Sequence, residues 1–258
     1  MALSSGQRDE ISDLLMHKIL GKLESYSPET THMPFHIRLL GKDRMALFSF
    51  VHSINTMLGI SIFEQVAAAI ARPHFRTVGH QHKGLGDSIS SDAQSVIQRT
   101  MDDLRATRVE PDKPAETARI LAVAQGEKMV TVKRPTVDLF LEDDYSTEYY
   151  FDLKTAKPNI DGFVRYKRVL LEWIALRGAE EPTASVRTLL AIPYNPYEPK
   201  PYERWTLKGL FDIPNEIMVA AEFWDFLGGE DTYSELLDIF QSVGLKLRPE
   251  IDQRFSEF

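Results

Sequence analysis

Two short apolar runs separated by turn-forming residues fix the centre of any fold this chain can adopt. The first is Val137-Asp138-Leu139-Phe140-Leu141, and the second is Tyr149-Tyr150-Phe151-Asp152-Leu153-Lys154. Between them, Asp143-Asp144-Tyr145-Ser146-Thr147 is turn chemistry. β-branched and aromatic residues in runs of this length predict a hairpin. Residues two apart on a strand share a face, so Asp152 and Lys154 point together while Leu153 points into the core. The pairing brings the Asp138 carboxylate near that of Asp152.

The rest of the chain reads as helices around a compact group of strands. Residues 8–25 are amphipathic, with Ile11, Leu14, Leu15, Ile19 and Leu23 on one face. Residues 43–57 and 60–71 read as two helical stretches weakened at Gly59. Residues 72–91 hold Pro73, three glycines and the histidines His74, His80 and His82, and read as a long loop. A helix follows to about Arg105, and an Ala-rich one ends near Gln125. Extended chain begins near Lys128, with a break at Pro135. Beyond the hairpin a helix runs from about Asp161 to Arg177. Residues 186–192 form a strand, 193–201 a proline-tyrosine loop, 217–221 a short strand and 232–243 a helix. Helices before a mixed group of strands predict an α/β or α+β core with an N-terminal helical portion.

Composition sets limits on what such a core does. The chain has 258 residues, 43% of them apolar and 26% charged, as in an ordinary globular protein. No apolar run approaches the ~18 residues of a membrane span. There is no cysteine, which excludes a disulfide framework, a thiol nucleophile and a zinc-thiolate site. The plain reading is a cytosolic protein. A net charge of −8 counts, by itself, against a nucleic-acid partner. The charge is uneven, however: Lys154, Lys157, Arg165, Lys167 and Arg168 form a basic strip that contains a single acid, Asp161.

The strip adjoins the two acids. Two carboxylates converging at a strand edge make an oxygen-ligand site suited to Mg²⁺, which takes few protein ligands and keeps several waters. A lysine ammonium beside them orients a water and offsets charge in a transition state. Phosphodiester hydrolysis needs these parts. The alternative is a solvated hairpin face with a surface Asp–Lys pair of small energetic value.

Asp138 with Asp152-Leu153-Lys154 resembles the signature of the PD-(D/E)XK nucleases, although Val137 stands where that signature has proline. The string from Tyr149 through Lys154-Thr155-Ala156-Lys157-Pro158-Asn159 resembles type II restriction endonucleases. Pro193-Tyr194-Asn195-Pro196-Tyr197 and Glu222-Phe223-Trp224-Asp225 resemble their TdeIII-type group more narrowly. The resemblance covers the chain from about residue 45 to its end. It implies a restriction-endonuclease-like core in a single nuclease domain spanning 1–258. Residues 1–125 would be its mainly helical portion, and 126–258 the catalytic core with C-terminal helices. It further implies Mg²⁺-dependent cutting of double-stranded DNA by a homodimer at a short G/C-rich palindrome of the GGNCC kind. A companion DNA methyltransferase is expected in the same system. By the same resemblance, Asp138, Asp152 and the Leu153 carbonyl hold the ion, Lys154 positions the attacking water, and Glu64 is the candidate for an additional acid from a preceding helix. A repair or structure-specific nuclease, or a DNA-binding domain that does not cleave, are the competing readings.

Further DNA contacts are expected around this centre. Lys157 and Asn159 lie just past the catalytic strand, where they meet phosphate or a base edge, or else form a turn that caps the next helix. Arg165 and Arg168 on that helix face DNA or solvent. Arg76 and Lys83 in the His-containing loop are phosphate candidates. Zinc at His80 and His82 is the less favoured reading, since no carboxylate lies in tight spacing. Tyr194 and Asn195 sit in a loop that either reaches a groove or packs its own aromatics. Trp205, Phe223 and Trp224 read as core.

Overall fold

The structure, a computed structural model, describes residues 2–27, 33–154, 160–203 and 207–256. Helices Ser5–Ser25 (α1), Pro34–Leu40 (α2) and Lys42–Met57 (α3) lead through a π-helical turn, Leu58–Ile62, into Phe63–Ala71 (α4). Strands Thr77–His82 (β1) and Ser88–Ser90 (β2) follow, then helices Ser91–Arg105 (α5) and Lys113–Leu121 (α6). Next come strands Met129–Thr131 (β3), Val137–Glu142 (β4) and Thr147–Leu153 (β5), helix Ile160–Glu180 (α7) and strand Ser185–Ile192 (β6). The chain closes with a helical turn Ile213–Glu216 (α8), strand Ile217–Val219 (β7) and helices Ala221–Gly228 (α9) and Thr232–Ser256 (α10).

Apolar side chains on both faces of β4, β5 and β6 place these strands at the centre of a sheet in the order β1-β4-β5-β6-β7. β4 pairs antiparallel with β1 and β5, while β6 pairs parallel with β5 and β7. The parallel step is bridged by α7, as a crossover requires. This is the mixed sheet flanked by helices expected of a restriction-endonuclease-like core. One face, with Leu139, Phe151 and Leu189, packs on α1, α4, α9 and α10. The other, with Phe140, Tyr150 and Leu190, packs on α5, α6 and α7.

Several expectations need correction. Residues 72–91 are not one loop: β1 lies within them and forms an edge of the sheet. Its residues Thr-Val-Gly-His-Gln-His offer little apolar signal, because an edge strand bonds to one neighbour and keeps much of its surface in water. Gly59 does not break the helix but falls in the π turn between α3 and α4. The last helix continues to Ser256. Phe223 and Trp224 are core, as expected, but on a helix that the strand reading of 217–221 did not foresee.

Lys167 leaves the basic strip altogether. Its side chain is fully buried, and Nζ donates to Glu116 Oε2 and Glu216 Oε2 at 2.6 Å each. Lys113 Nζ donates to the other oxygen of Glu216 at 2.9 Å. Two lysines and two glutamates thus form a charge-balanced network tying α6, α7 and α8 together. Burial alone would raise Glu216, but the Lys113 and Lys167 ammoniums outweigh it and hold the carboxyl below its ordinary value. Removing one member strands a buried charge. Lys167→Met should therefore lower stability by about 3–5 kcal/mol in urea denaturation; a loss below ~1 kcal/mol would mean the network is not holding these helices.

Candidate active site

The parallel pairing of β5 with β6 carries the chain straight past the end of the strand. Lys154 N donates to Ala191 O at 2.9 Å, so the residue after β5 is held in line with it. Its side chain turns back over the strand end. Nζ lies 3.4 Å from Asp138 Oδ2 and 3.0 Å from the Leu153 carbonyl oxygen, and it also donates to Asp152 Oδ1. Leu153 N donates to Asp138 Oδ2 at 2.8 Å, locking the acid of β4 against the end of β5. Leu153 itself is buried in the core, opposite its two polar neighbours. Two carboxylates and one carbonyl therefore converge on one cation.

Burial shapes the electrostatics. Asp152 is almost fully buried, and desolvation pushes its carboxyl up to about 7 even though Lys154 draws it down; the Asp138 carboxylate adds to the rise. For Lys154, burial would lower the pKa, but Asp152 and Asp138 outweigh it and hold the ammonium above the ordinary lysine range. Lys154 is thus a firmly protonated cation, 5.3 Å from the centroid of the Tyr166 ring on α7.

A third acid approaches from the other layer. Glu64 on α4 is buried, and its Oε2 contacts His80 Nε2 at 3.1 Å and accepts from Gln81 Nε2. Adjacent strand residues normally point apart. Gln81 has φ +51°, in the left-handed region, and both it and His80 meet the same carboxylate. The register sets Gln81 across from Asp138, between the pairs His80–Leu139 and His82–Val137. Desolvation raises the Glu64 pKa, and the Asp138 charge adds to the rise. The sequence points to His80 only as a less favoured zinc ligand and not to its contact or that of Gln81 with Glu64, because nothing in a polar Gly-His-Gln-His string signals a strand beside a helix.

The remaining candidates are distributed as follows. Arg165 and Tyr166 line a cleft of about 460 Å³ together with Asp152 and Lys154. Lys133 and Arg134, ahead of β4, form part of the same lining and were not picked out from sequence. Arg168 donates to Gln98 on α5. Arg76 is ion-paired with Glu142, at the opposite end of β4 from Asp138. Lys83 is exposed just past the site end of β1. Tyr194 is exposed, while Asn195 braces its own loop, donating to Lys200 O and accepting from Tyr197 N. His82 stacks on Phe140 at 4.4 Å. Lys157, Asn159 and Trp205 lie outside the described residues. Among the described residues, no group of three or more His, Cys, Asp and Glu side chains forms a ready metal cage. The donor set at Lys154 is instead two carboxylates and a main-chain carbonyl, all hard oxygens, which fits a Mg²⁺ that keeps most of its waters.

The mixed sheet with acids gathered at the open end of its hairpin is consistent with a restriction-endonuclease-like core, and comparison with known proteins gives the class. The family model for the type II restriction endonuclease HinfI matches residues 4–244. The chain belongs to this family of site-specific deoxyribonucleases. It is 27% identical over 244 residues to the type II restriction enzyme HgiCII of Herpetosiphon aurantiacus, spanning 92% of this chain and 87% of that one. It is 25% identical over 237 residues to HgiEI of the same organism, spanning 90% and 84%. MjaII, a type II restriction enzyme of Methanocaldococcus jannaschii, is 24% identical over 284 residues, spanning 99% and 74%.

The Asp152 shift carries a stability consequence. Between the ordinary 3.8 and about 7 the folded chain keeps a proton that the unfolded chain has released. That contribution is fully present below pH 3.8 and is lost as pH rises through about 7. In chelator, Asp152→Asn should be more stable than the parent protein to urea at pH 8, by on the order of 2 kcal/mol, and the gap should close toward pH 5. A gap that is absent, or independent of pH, would show that the Asp152 carboxylate is not under strain.

Proposed function

We propose that this chain is a PD-(D/E)XK nuclease in which Asp138, Asp152, the Leu153 carbonyl and Lys154 form the catalytic centre. The observation that carries this reading is the convergence of three oxygens on the Lys154 ammonium at the end of β5. Asp138, Asp152 and the Leu153 carbonyl are the groups that would hold Mg²⁺. Bound there, the ion supplies Lewis-acid stabilisation of charge building on the phosphate and makes hydroxide available near neutral pH. Lys154, held protonated, offers N–H donors to the attacking water and to a phosphate oxygen. Tyr166 limits where that ammonium can go. Glu64, fixed by His80 and Gln81, adds a third acid beside Asp138.

The finer reading follows the sequence resemblance. The substrate is double-stranded DNA carrying a G/C-rich palindrome of the GGNCC kind, cut in both strands by two copies of the chain. Residues 1–258 act as one nuclease domain, because the cluster on one sheet face gathers residues from Leu3 to Leu247. The enzyme works in the cytoplasm beside a methyltransferase that protects the host's sites. No helix among the described residues is long and apolar enough to cross a membrane. Lys133, Arg134 and Arg165 line the cleft beside Asp152, which supports reading them as contacts to backbone phosphates.

Run-off sequencing of plasmid digested in Mg²⁺ tests the assignment. Discrete ends at one palindrome are expected, with cutting lost in chelator. Asp138→Ala, Asp152→Ala and Lys154→Ala should each reduce cutting by at least ~10³-fold while Ca²⁺-supported DNA binding persists. Full cutting by Asp152→Ala would refute the site; nicks alone, or cutting of branched DNA only, would favour a repair nuclease. Replacing Lys133, Arg134 and Arg165 together by alanine should flatten the slope of log affinity against log salt by up to ~3. An unchanged slope would remove these residues from the DNA contact.

A further inference from the structure

Much of the apolar surface that water reaches is concentrated on α2 and α3. Phe35 is 83% exposed, Leu39 82% and Phe48 66%, and Leu40, Leu47 and Val51 are also exposed. Phe35 and Leu39 lie one turn apart on α2; Leu47 and Val51 lie one turn apart on α3, with Phe48 beside them. The inner face of α3 is already used: Ala46 and Phe50 are buried, and Phe50 meets Tyr26 edge to face at 5.2 Å. A surface helix normally turns polar residues outward. Here part of the outward surface is apolar too, with Leu47, Phe48 and Val51 exposed between Arg44 and His52.

We propose that this face packs against the same face of a second copy of the chain about a two-fold axis. The proposal rests on the reading of the chain as an enzyme that cuts both strands. Large apolar side chains carry roughly 150–200 Å² each, so these six expose on the order of 600 Å². That reaches the upper end of the roughly 300–600 Å² of the largest apolar patch on a typical monomer, and it approaches the ~800 Å² per partner of a standard interface. Polar neighbours at the rim supply the rest. Arg38, Lys42 and Arg44 stand beside Asp43, which meets Arg44 within the chain at 3.9 Å, so charges of both signs flank the apolar residues. Among the described residues each chain carries one Asp138–Asp152–Lys154 centre, and a palindrome has two-fold symmetry. An isologous contact gives two such centres the same symmetry as the site. The geometry links the two regions directly: α3, the π turn and α4 are continuous from Lys42 to Ala71, with the apolar face near one end and Glu64 beyond the π turn.

The test is the assembly state of the full chain at micromolar concentration, by sedimentation or light scattering, with and without Ca²⁺ and cognate DNA. The parent should run at about twice the chain mass of 29.4 kDa. Leu39→Glu with Phe48→Glu should run at the chain mass, and its double-strand cuts should fall at least ~10-fold relative to nicks. Both side chains face water in the single chain, so the variant's far-UV circular dichroism should match the parent's, while its melting point should fall only by the stabilisation that dimerisation gives. Because the chain has no cysteine, crosslinking gives a second measurement that does not depend on that variant. Val51→Cys should be joined to the doubled mass by a short bismaleimide, and Tyr145→Cys, on the turn between β4 and β5, should not. A monomeric parent under all conditions, a charged variant that stays dimeric, or equal crosslinking at both positions would overturn the proposal. A dimer through this face that leaves DNA intact would instead defeat the nuclease reading and spare the surface.

Discussion

Everything at the end of β5 depends on one ammonium set among oxygens that the fold has taken out of water. Asp152 is buried deeply enough that its ionised form is strained, and Asp138 stands beside it. Lys154 is the cation that makes this tolerable in the protein alone. Its own position is fixed from two sides. The main-chain bond to Ala191 holds the residue in line with β6, and the Tyr166 ring lies near the ammonium on the α7 side. The arrangement is therefore a property of the sheet and its crossover helix together, and not of the hairpin alone.

α7 in turn is held by charges rather than by apolar packing only. Phe163, Leu170, Leu171 and Ile174 bury one stripe, as helical spacing requires. Lys167 lies on that buried side and reaches α6 and α8 through two glutamates. Such a network contributes little net stability compared with a well-packed apolar core, but it defines one relative placement of three helices. That placement sets where Tyr166 and Arg165 stand beside Asp152.

The hairpin was legible in sequence because two simple rules agree there. Alternation puts Leu153 in the core and its neighbours on the other face, and the turn residues between the runs fix antiparallel pairing. Gathering Asp138 with Asp152 then needs no further information. β1 was illegible for the opposite reason: its side chains are mostly polar, and only pairing with β4 makes it a strand. Lys167 looked like a surface cation because its carboxylate partners are 51 and 49 positions away. A charge read along the chain carries no mark of what it meets in space. His80 and Gln81 illustrate the same limit, since their contact with Glu64 depends on a backbone conformation that non-glycine residues seldom adopt.

The four charges joining α6, α7 and α8 also constrain how this sequence can change over time. Lys113, Glu116, Lys167 and Glu216 cancel one another inside the protein, and each is costly without its neighbours. A lineage that loses one of them inherits a destabilised intermediate before it can replace the others. These positions should therefore drift as a set, either retained together or exchanged together for apolar residues, even though more than a hundred residues separate the first from the last.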